Sequence, residues 1–178
     1  MNSSGEQEYV EFVAHQADRL CRTAYLICGD WKRAEDATQE ALLRLYRVWP
    51  RLLRKGAVGA YASKTVVSAT LDGLRRRSSR EVVGGDGYFA ATADPTNQMR
   101  RIDDRLMIEQ ALAVLPPRKR ACVVLRYFDQ LSVEETAEVL GCRPGTVKSQ
   151  TAEALTTLRR HLETAGITNF AQLGANDE

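Results

Sequence analysis

The side chains of this chain best suited to meeting a polyanion are Arg143, Thr146, Lys148, Ser149 and Gln150, set within a single stretch that contains Pro144 and follows Gly141. Arg and Lys donate to phosphate oxygens, and Ser, Thr and Gln reach base edges, with Gln able to pair adenine in a bidentate way. A second group, Arg51, Arg54, Lys55, Tyr61, Lys64, Arg75, Arg76 and Arg77, mixes cations with aromatics and is preceded by Tyr46 and Trp49. Cations track a phosphate backbone, and aromatic faces or tight pockets hold unstacked bases. The same residues also fit Trp49 and Tyr61 in a core, with the Arg run as a solvated helix end placed favourably for the helix dipole. A third group, Asp36, Gln39, Glu40, Leu43 and Arg47, lies at helical spacing with a leucine in its middle. It reads either as a solvated face or as a docking surface in which an apolar anchor is ringed by polar groups.

No catalytic grouping stands beside these. Gly84-Gly85-Asp86-Gly87 precedes no Lys-Ser/Thr helix start, so it is no phosphate loop. No Ser/His/Asp arrangement is visible, and Glu134 and Glu135 point to different faces of one helix. Two histidines, His15 and His161, and four cysteines, Cys21, Cys28, Cys122 and Cys142, show no metal-ligand spacing. The cysteines read as small buried hydrophobes of a reducing compartment. The expectation is a non-enzyme with no cofactor and no metal.

The elements that must hold these groups are all helical. Ser132-Val-Glu-Glu135 is a capping box that opens a helix with Val133, Ala137 and Leu140 inward. Gly141 stops it, and Pro144 suits the first turn of the next helix. That helix carries Val147, Thr151, Ala154, Leu155, Leu158 and Leu162 on one face. A short helix, a Gly turn and a longer helix is the geometry that lays the second helix in a DNA major groove, although hairpins of two helices also occur in proteins that never touch DNA. Upstream, one helix is predicted over 6–28, with Phe12, Ala17, Leu20, Cys21, Ala24 and Cys28 inward. After Gly29 and a capping Asp30, a second is predicted over 31–49, with Ala34, Ala41, Leu42, Leu45 and Val48 inward and its end set by Pro50. A basic loop over 50–56 leads to a third helix over 58–77. Residues 82–97 hold glycines, a proline and acids without sustained period, and read as a flexible linker, with Tyr88 and Phe89 inside it. A second helical body starts near Ile102, capped by Asp103 or Asp104 and carrying Leu106, Ala113 and Leu115. It breaks at Pro116-Pro117 and resumes with Ala121, Val124, Leu125 and Phe128 inward.

The fold class expected is therefore all-α, two small helical domains joined by a flexible linker, the second containing a helix-turn-helix. The bounds are 1–80, a linker over 81–102, 103–163, and a short tail over 164–178. Net charge over 178 residues is only +2, but its distribution is uneven. Residues 1–80 hold 14 Lys/Arg against 9 Asp/Glu, whereas 81–103 hold 2 against 4 and 104–162 hold 9 against 7. Two basic bodies separated by an acidic joint suit a polyanionic partner. No stretch approaches the roughly 20 apolar residues of a membrane span, and the polar, acidic start shows no secretory signal. A cytoplasmic chain without membrane insertion is the expectation.

Two longer stretches sharpen this. Arg33-Ala-Glu-Asp-Ala-Thr-Gln-Glu-Ala-Leu-Leu-Arg-Leu-Tyr-Arg47 resembles the conserved second-region helix of bacterial RNA polymerase sigma factors of the extracytoplasmic-function (ECF) group. Leu115-Pro-Pro-Arg-Lys-Arg-Ala-Cys-Val-Val-Leu-Arg-Tyr-Phe128, with Leu131-Ser132, Gly141 and Gly145-Thr-Val-Lys-Ser149, is similar to the group's fourth region. The resemblance extends over about residues 9–162. It implies a promoter-specificity subunit that binds core RNA polymerase, recognises −35 and −10 elements and directs initiation. It implies that Asp36, Gln39, Glu40, Leu43 and Arg44 dock on the β′ clamp. It implies that the loop over 50–59 captures a flipped −10 base, and that the third helix follows the melted non-template strand, assigning Arg51, Arg54, Lys55, Tyr61, Lys64 and Arg75 to Arg77 to −10 DNA. Leu115, Val124 and Phe128 would meet the β flap, while Arg143, Thr146, Lys148, Ser149 and Gln150 would read duplex −35 DNA. The linker would thread near the polymerase active site, and an anti-sigma factor is a possible further partner. Ser68, where relatives often show Asn, Arg143 at a helix start, Gln150 where Arg is frequent, and the acid Glu153 depart from the pattern. The competing expectation is a stand-alone helix-turn-helix regulator, which would have no use for the 36–47 stripe.

Overall fold

The computed structural model describes residues 3–54, 56–80 and 107–164. Among them every regular element is helical: α1 (Ser3–Cys28), α2 (Trp31–Leu53), α3 (Val58–Arg80), α4 (107–113), α5 (Pro117–Val123), α6 (Val133–Leu140) and α7 (Pro144–Thr164). A π turn, Val124–Phe128, prolongs α5. The all-α expectation holds. The expected linker, the helix start near Ile102 with Asp103, Asp104 and Leu106, Lys55, and the tail from residue 165 lie outside the described residues.

The first body is α1, α2 and α3. Asp30 ends the α1–α2 turn and caps α2, its side chain accepting from the Arg33 amide at 3.1 Å. The buried side chains of α2, Ala34, Ala37, Thr38, Ala41, Leu45, Trp49 and Leu52, recur every three or four residues and form one seam. That seam explains a correction. Pro50 does not end the helix, which runs on to Leu53. An internal proline costs about 3 kcal/mol, but Trp49 and Leu52 are both buried in this last turn, each worth about 2–3 kcal/mol, and Pro50 itself faces outward. Trp49 is 2% exposed and packs edge-on against Tyr9, with centroids 5.2 Å apart, and tilted against Phe12 at 5.3 Å. Of the two readings left open for it, the core is correct. The Tyr9 hydroxyl donates to the Leu42 carbonyl at 3.0 Å, pinning α1 to α2. Helix α1 begins three residues earlier than expected and α3 ends three later.

The second body is built on α5. Pro117 is the first helical residue, as its fixed φ allows, and Arg120 to Leu125 are buried without a break, so this element is enclosed from all sides. Phe128 is the exception, 45% exposed rather than inward: the π turn's extra residue rotates the last side chain out of the stripe. Helix α6 is capped as expected, with the Ser132 amide donating to Glu135 at 2.7 Å and the Glu135 amide donating to Ser132 Oγ at 3.1 Å. Its buried side chains are Thr136, Ala137 and Val139, whereas the expected Val133 and Leu140 are only half-buried. Gly141 ends it at φ +63°, the left-handed conformation glycine tolerates. All four cysteines are free thiols, and only Cys122 is fully buried. Burial pushes its thiol up to about 11, which suits a structural rather than a reactive sulfur.

The two bodies are not apart. Helix α3 packs on α2 and α1 and also against α6, and α1 touches both α5 and the π turn. One apolar core runs from Leu20 and Trp49 through Val66 to Leu125 and Ala154.

Candidate nucleic-acid interface

The helix-turn-helix presents α7 by burying Val147, Thr151, Ala154 and Leu162 against α5 and α6. Arg143, Lys148 and Ser149 are exposed, and Thr146 and Gln150 half-buried. They do not form one row. At about 100° per residue, Lys148 and Gln150 fall on opposite flanks of α7, roughly 160° apart, with Ser149 on the outermost line between them. Gln150 is turned toward its own body: its Oε1 lies 3.5 Å from Cys122 Sγ on α5 and takes that thiol as donor. The group that meets solvent freely is Arg143, Lys148 and Ser149, with Thr146 at its edge. The acid Glu153 is occupied by Lys119, Nζ to carboxylate 2.7 Å, so its charge is offset within the second body.

The basic set of the first body is likewise redistributed. Arg51 belongs to the last turn of α2 and Arg54 is its C-cap, so the loop between α2 and α3 is much shorter than expected. Gly56 turns it at φ +62°. Arg51, Arg54 and Lys64 are exposed and Tyr61 half-buried. Arg75 pairs with Asp72 at 3.3 Å. Arg76 and Arg77 line a groove of about 540 Å³ between α2 and α3, and across it stand Arg33, Asp36 and Glu40. The sequence separated these two sets, but the fold brings the end of α3 beside the acidic start of the α2 stripe.

That stripe is where its spacing placed it. Asp36, Gln39, Glu40, Leu43, Arg44 and Arg47 are all exposed, and Leu43 is 64% exposed. Arg44 pairs with Glu40 one turn before it. Leucine is costly to leave in water, and nothing in the fold covers this one.

Sequence reasoning missed the polar contacts between the bodies. Thr23 Oγ1 lies 3.0 Å from both carboxylate oxygens of Asp129, and Arg19 approaches the same carboxylate at 3.9 Å. Burial raises the Asp129 pKa, against the opposing effects of Thr23 and Arg19. Arg120 reaches from α5 to the Ile27 carbonyl at the end of α1, at 2.9 Å. No local spacing signals a pair more than 90 residues apart. The available hint was the apolar run Ala24-Tyr-Leu-Ile27, too wide for a one-sided helix.

Among the described residues no group of three or more His, Cys, Asp or Glu side chains could hold a metal, and no helix is long and apolar enough to cross a membrane.

Comparison with known proteins agrees with this geometry. Residues 12–80 match the family model for sigma-70 region 2, and residues 105–158 that for sigma-70 region 4. The chain is 36% identical to the RNA polymerase sigma-E factor of Streptomyces avermitilis, over 88% of this chain and 86% of that one. It is 33% identical to the ECF RNA polymerase sigma factor SigM of Mycobacterium tuberculosis, over 81% of this chain and 71% of that one. Among solved structures, the sigma factor RpoE of Bartonella quintana, in complex with the anti-sigma factor NepR, shares the fold with a TM-score of 0.71 at 22% identity, over 88% of this chain and 98% of that one. With a region 2 that leaves Leu43 bare, a region 4 that leaves Lys148 bare, and relatives alike over most of their length, the chain belongs to the ECF group of sigma factors, the promoter-specificity subunits of bacterial RNA polymerase.

Proposed function

We propose that the two bodies divide promoter recognition between them, on the family's pattern. The α2 stripe of Asp36, Gln39, Glu40, Leu43 and Arg44 docks on the β′ clamp. Arg51, Arg54, Lys55, Tyr61, Lys64 and Arg75 to Arg77 take the −10 element as it melts. Arg143, Thr146, Lys148 and Ser149 meet the −35 duplex, with Gln150 joining once its contact with Cys122 is exchanged for a base edge. The domain bounds that go with this are 1–80 and 103–163. The observation that carries the reading is Leu43. A bare leucine ringed by opposite charges on an otherwise well-packed helix fits the apolar anchor of a protein-docking surface, and a DNA-only regulator has no need of one.

No chemistry is required of the chain. Base capture offsets unpairing and unstacking costs of a few kcal/mol, and polymerase contacts add the rest, so we assign it no enzymatic role and a cytoplasmic place of work. An anti-sigma partner, of the kind that NepR is for its sigma factor, would find the same two bodies accessible.

Run-off transcription with core polymerase, followed by sequencing of start sites, tests the reading. The expected result is initiation from a set of promoters sharing −35 and −10 motifs. Tight duplex binding by the chain alone, with no initiation from core enzyme, overturns it in favour of a stand-alone regulator.

A further inference from the structure

We infer that Glu153 reads a base: its carboxylate takes the exocyclic amino group of a cytosine in the −35 duplex, with Lys119 of α5 as the positioning residue behind it; this rests on the promoter reading above. The placement follows from the helical period. The buried side chains Val147, Thr151, Ala154 and Leu162 mark the inner line of α7. At about 100° per residue, Glu153 lies about 40° from the outermost line, where Ser149 stands, and about 20° from Thr146 two turns before it. The outward face of the first three turns, the part of a recognition helix that meets base edges, therefore holds Gly145, Thr146, Ser149, Ala152 and Glu153. The cations stand to its sides, with Lys148 and Arg159 together on one flank and Arg143 just before the first turn, where they suit phosphates rather than bases.

Glu153 is the longest side chain on that face and its one ionised group. The nearby polar groups are turned inward: Ser149 Oγ donates to the Thr146 carbonyl at 3.1 Å, and Gln150 accepts from Cys122. An acid facing DNA is ordinarily repelled by phosphates. Here the repulsion is offset in advance, because Lys119 Nζ holds Oε2 of Glu153 at 2.7 Å and the pair carries no net charge. Lys119 is half-buried, so it fixes the carboxylate before DNA arrives and lowers the cost of ordering it.

The other oxygen, Oε1, has no partner among the described residues. A carboxylate oxygen only accepts, so it can read only a donor. On the major-groove edges the donors are cytosine N4 and adenine N6; guanine and thymine present acceptors there. Adenine N6 stands beside N7, an acceptor whose lone pair opposes an approaching carboxylate, whereas cytosine carries no acceptor on that edge. Cytosine is therefore the base that Glu153 fits.

Base selection by the assembled polymerase tests this. Core polymerase carrying the full chain is offered promoter duplexes randomised across the −35 element, and the bound sequences are counted. The wild type is expected to favour cytosine at one position by roughly tenfold. Glu153→Ala is expected to lose that preference and keep those at the other positions. Glu153→Gln is expected to move it to adenine, because an amide accepts from N6 while donating to N7. Lys119→Met is expected to weaken the same preference severalfold with unchanged helical circular dichroism, an effect on one base position that a merely structural ion pair would not produce. Wild-type base counts in both Glu153 variants overturn the inference. So does binding that tightens equally for every duplex in Glu153→Ala, which would make the acid a repelling charge and nothing more. An intact cytosine preference in Lys119→Met removes the positioning role. A wild type that selects no −35 sequence overturns the promoter reading and this inference with it, whereas a selective wild type with unaltered Glu153 variants overturns this inference alone.

Discussion

At the scale of single residues, exposure and charge decide the roles. Leu43 gains nothing from the fold, so Leu43→Arg should leave thermal stability within about 0.5 kcal/mol of wild type, as for surface substitutions generally. It should weaken core-polymerase binding by at least tenfold in a co-purification or fluorescence titration. Normal binding would remove the docking assignment. Lys148 is an exposed cation at the edge of the outward face of α7. If it meets a phosphate, Lys148→Ala should weaken promoter binding and reduce the slope of log affinity against log salt by about one. An unchanged slope would mean that Lys148 touches no phosphate. The Ser132–Glu135 box makes a pH prediction. Its hydrogen bonds hold the Glu135 carboxyl below its ordinary value of 4.5. A depressed folded-state pKa contributes stability that is present above the unfolded value and lost as pH falls through the folded one. Ser132→Ala should therefore lower the urea midpoint near neutrality, and the gap to wild type should narrow in urea titrations as pH drops below the ordinary value. A gap that stayed constant would show that Glu135 does not take part.

At the scale of elements, legibility followed locality. The capping box and Gly141 were readable because each satisfies backbone groups within four residues of itself, and Pro144 because the N–H it lacks is one that the first turn of α7 leaves unpaired in any case. The α7 stripe was readable because burial recurs at the helical period. The end of α2 was misread for the converse reason. Pro50 is a local stop signal, and the buried Trp49 and Leu52 that override it owe their burial to partners on other helices. The recognition face was half legible. Spacing placed Lys148 and Ser149 outside, but it could not show that Gln150 meets Cys122, which lies on α5. Gly141 gives the element-scale prediction. It sits at φ +63° with open space where a Cβ would be, so Gly141→Ala meets backbone strain and no clash. The expected cost is about 1 kcal/mol, read as a lower urea midpoint with unchanged slope. A neutral result would mean that the turn relaxes out of the left-handed region.

At the scale of the whole molecule, the sequence suggested two separate bodies, and the structure joins them through residues that no periodicity links. Arg120 shows why. From sequence it is one cation in a basic run, Arg118-Lys119-Arg120. In the fold it is buried, and its guanidinium donates to the Ile27 carbonyl of the first body and to the Ala113 and Leu115 carbonyls of its own. Burial lowers its pKa, yet an arginine stays charged under such a shift, and its charge is spread over three carbonyl dipoles. Arg120→Met preserves most of the side-chain volume but removes every donor, leaving those carbonyls buried without this partner. The loss should be about 3 kcal/mol, larger than for any surface arginine. It should also uncouple the bodies, so that urea unfolding, expected to be a single transition in the wild type, separates into two when followed by tryptophan fluorescence, which reports on Trp31 and Trp49 of the first body, and by helical circular dichroism. A variant that unfolds in one step at the wild-type midpoint would show that Arg120 does not join the two halves, and that the shared apolar core alone holds them together.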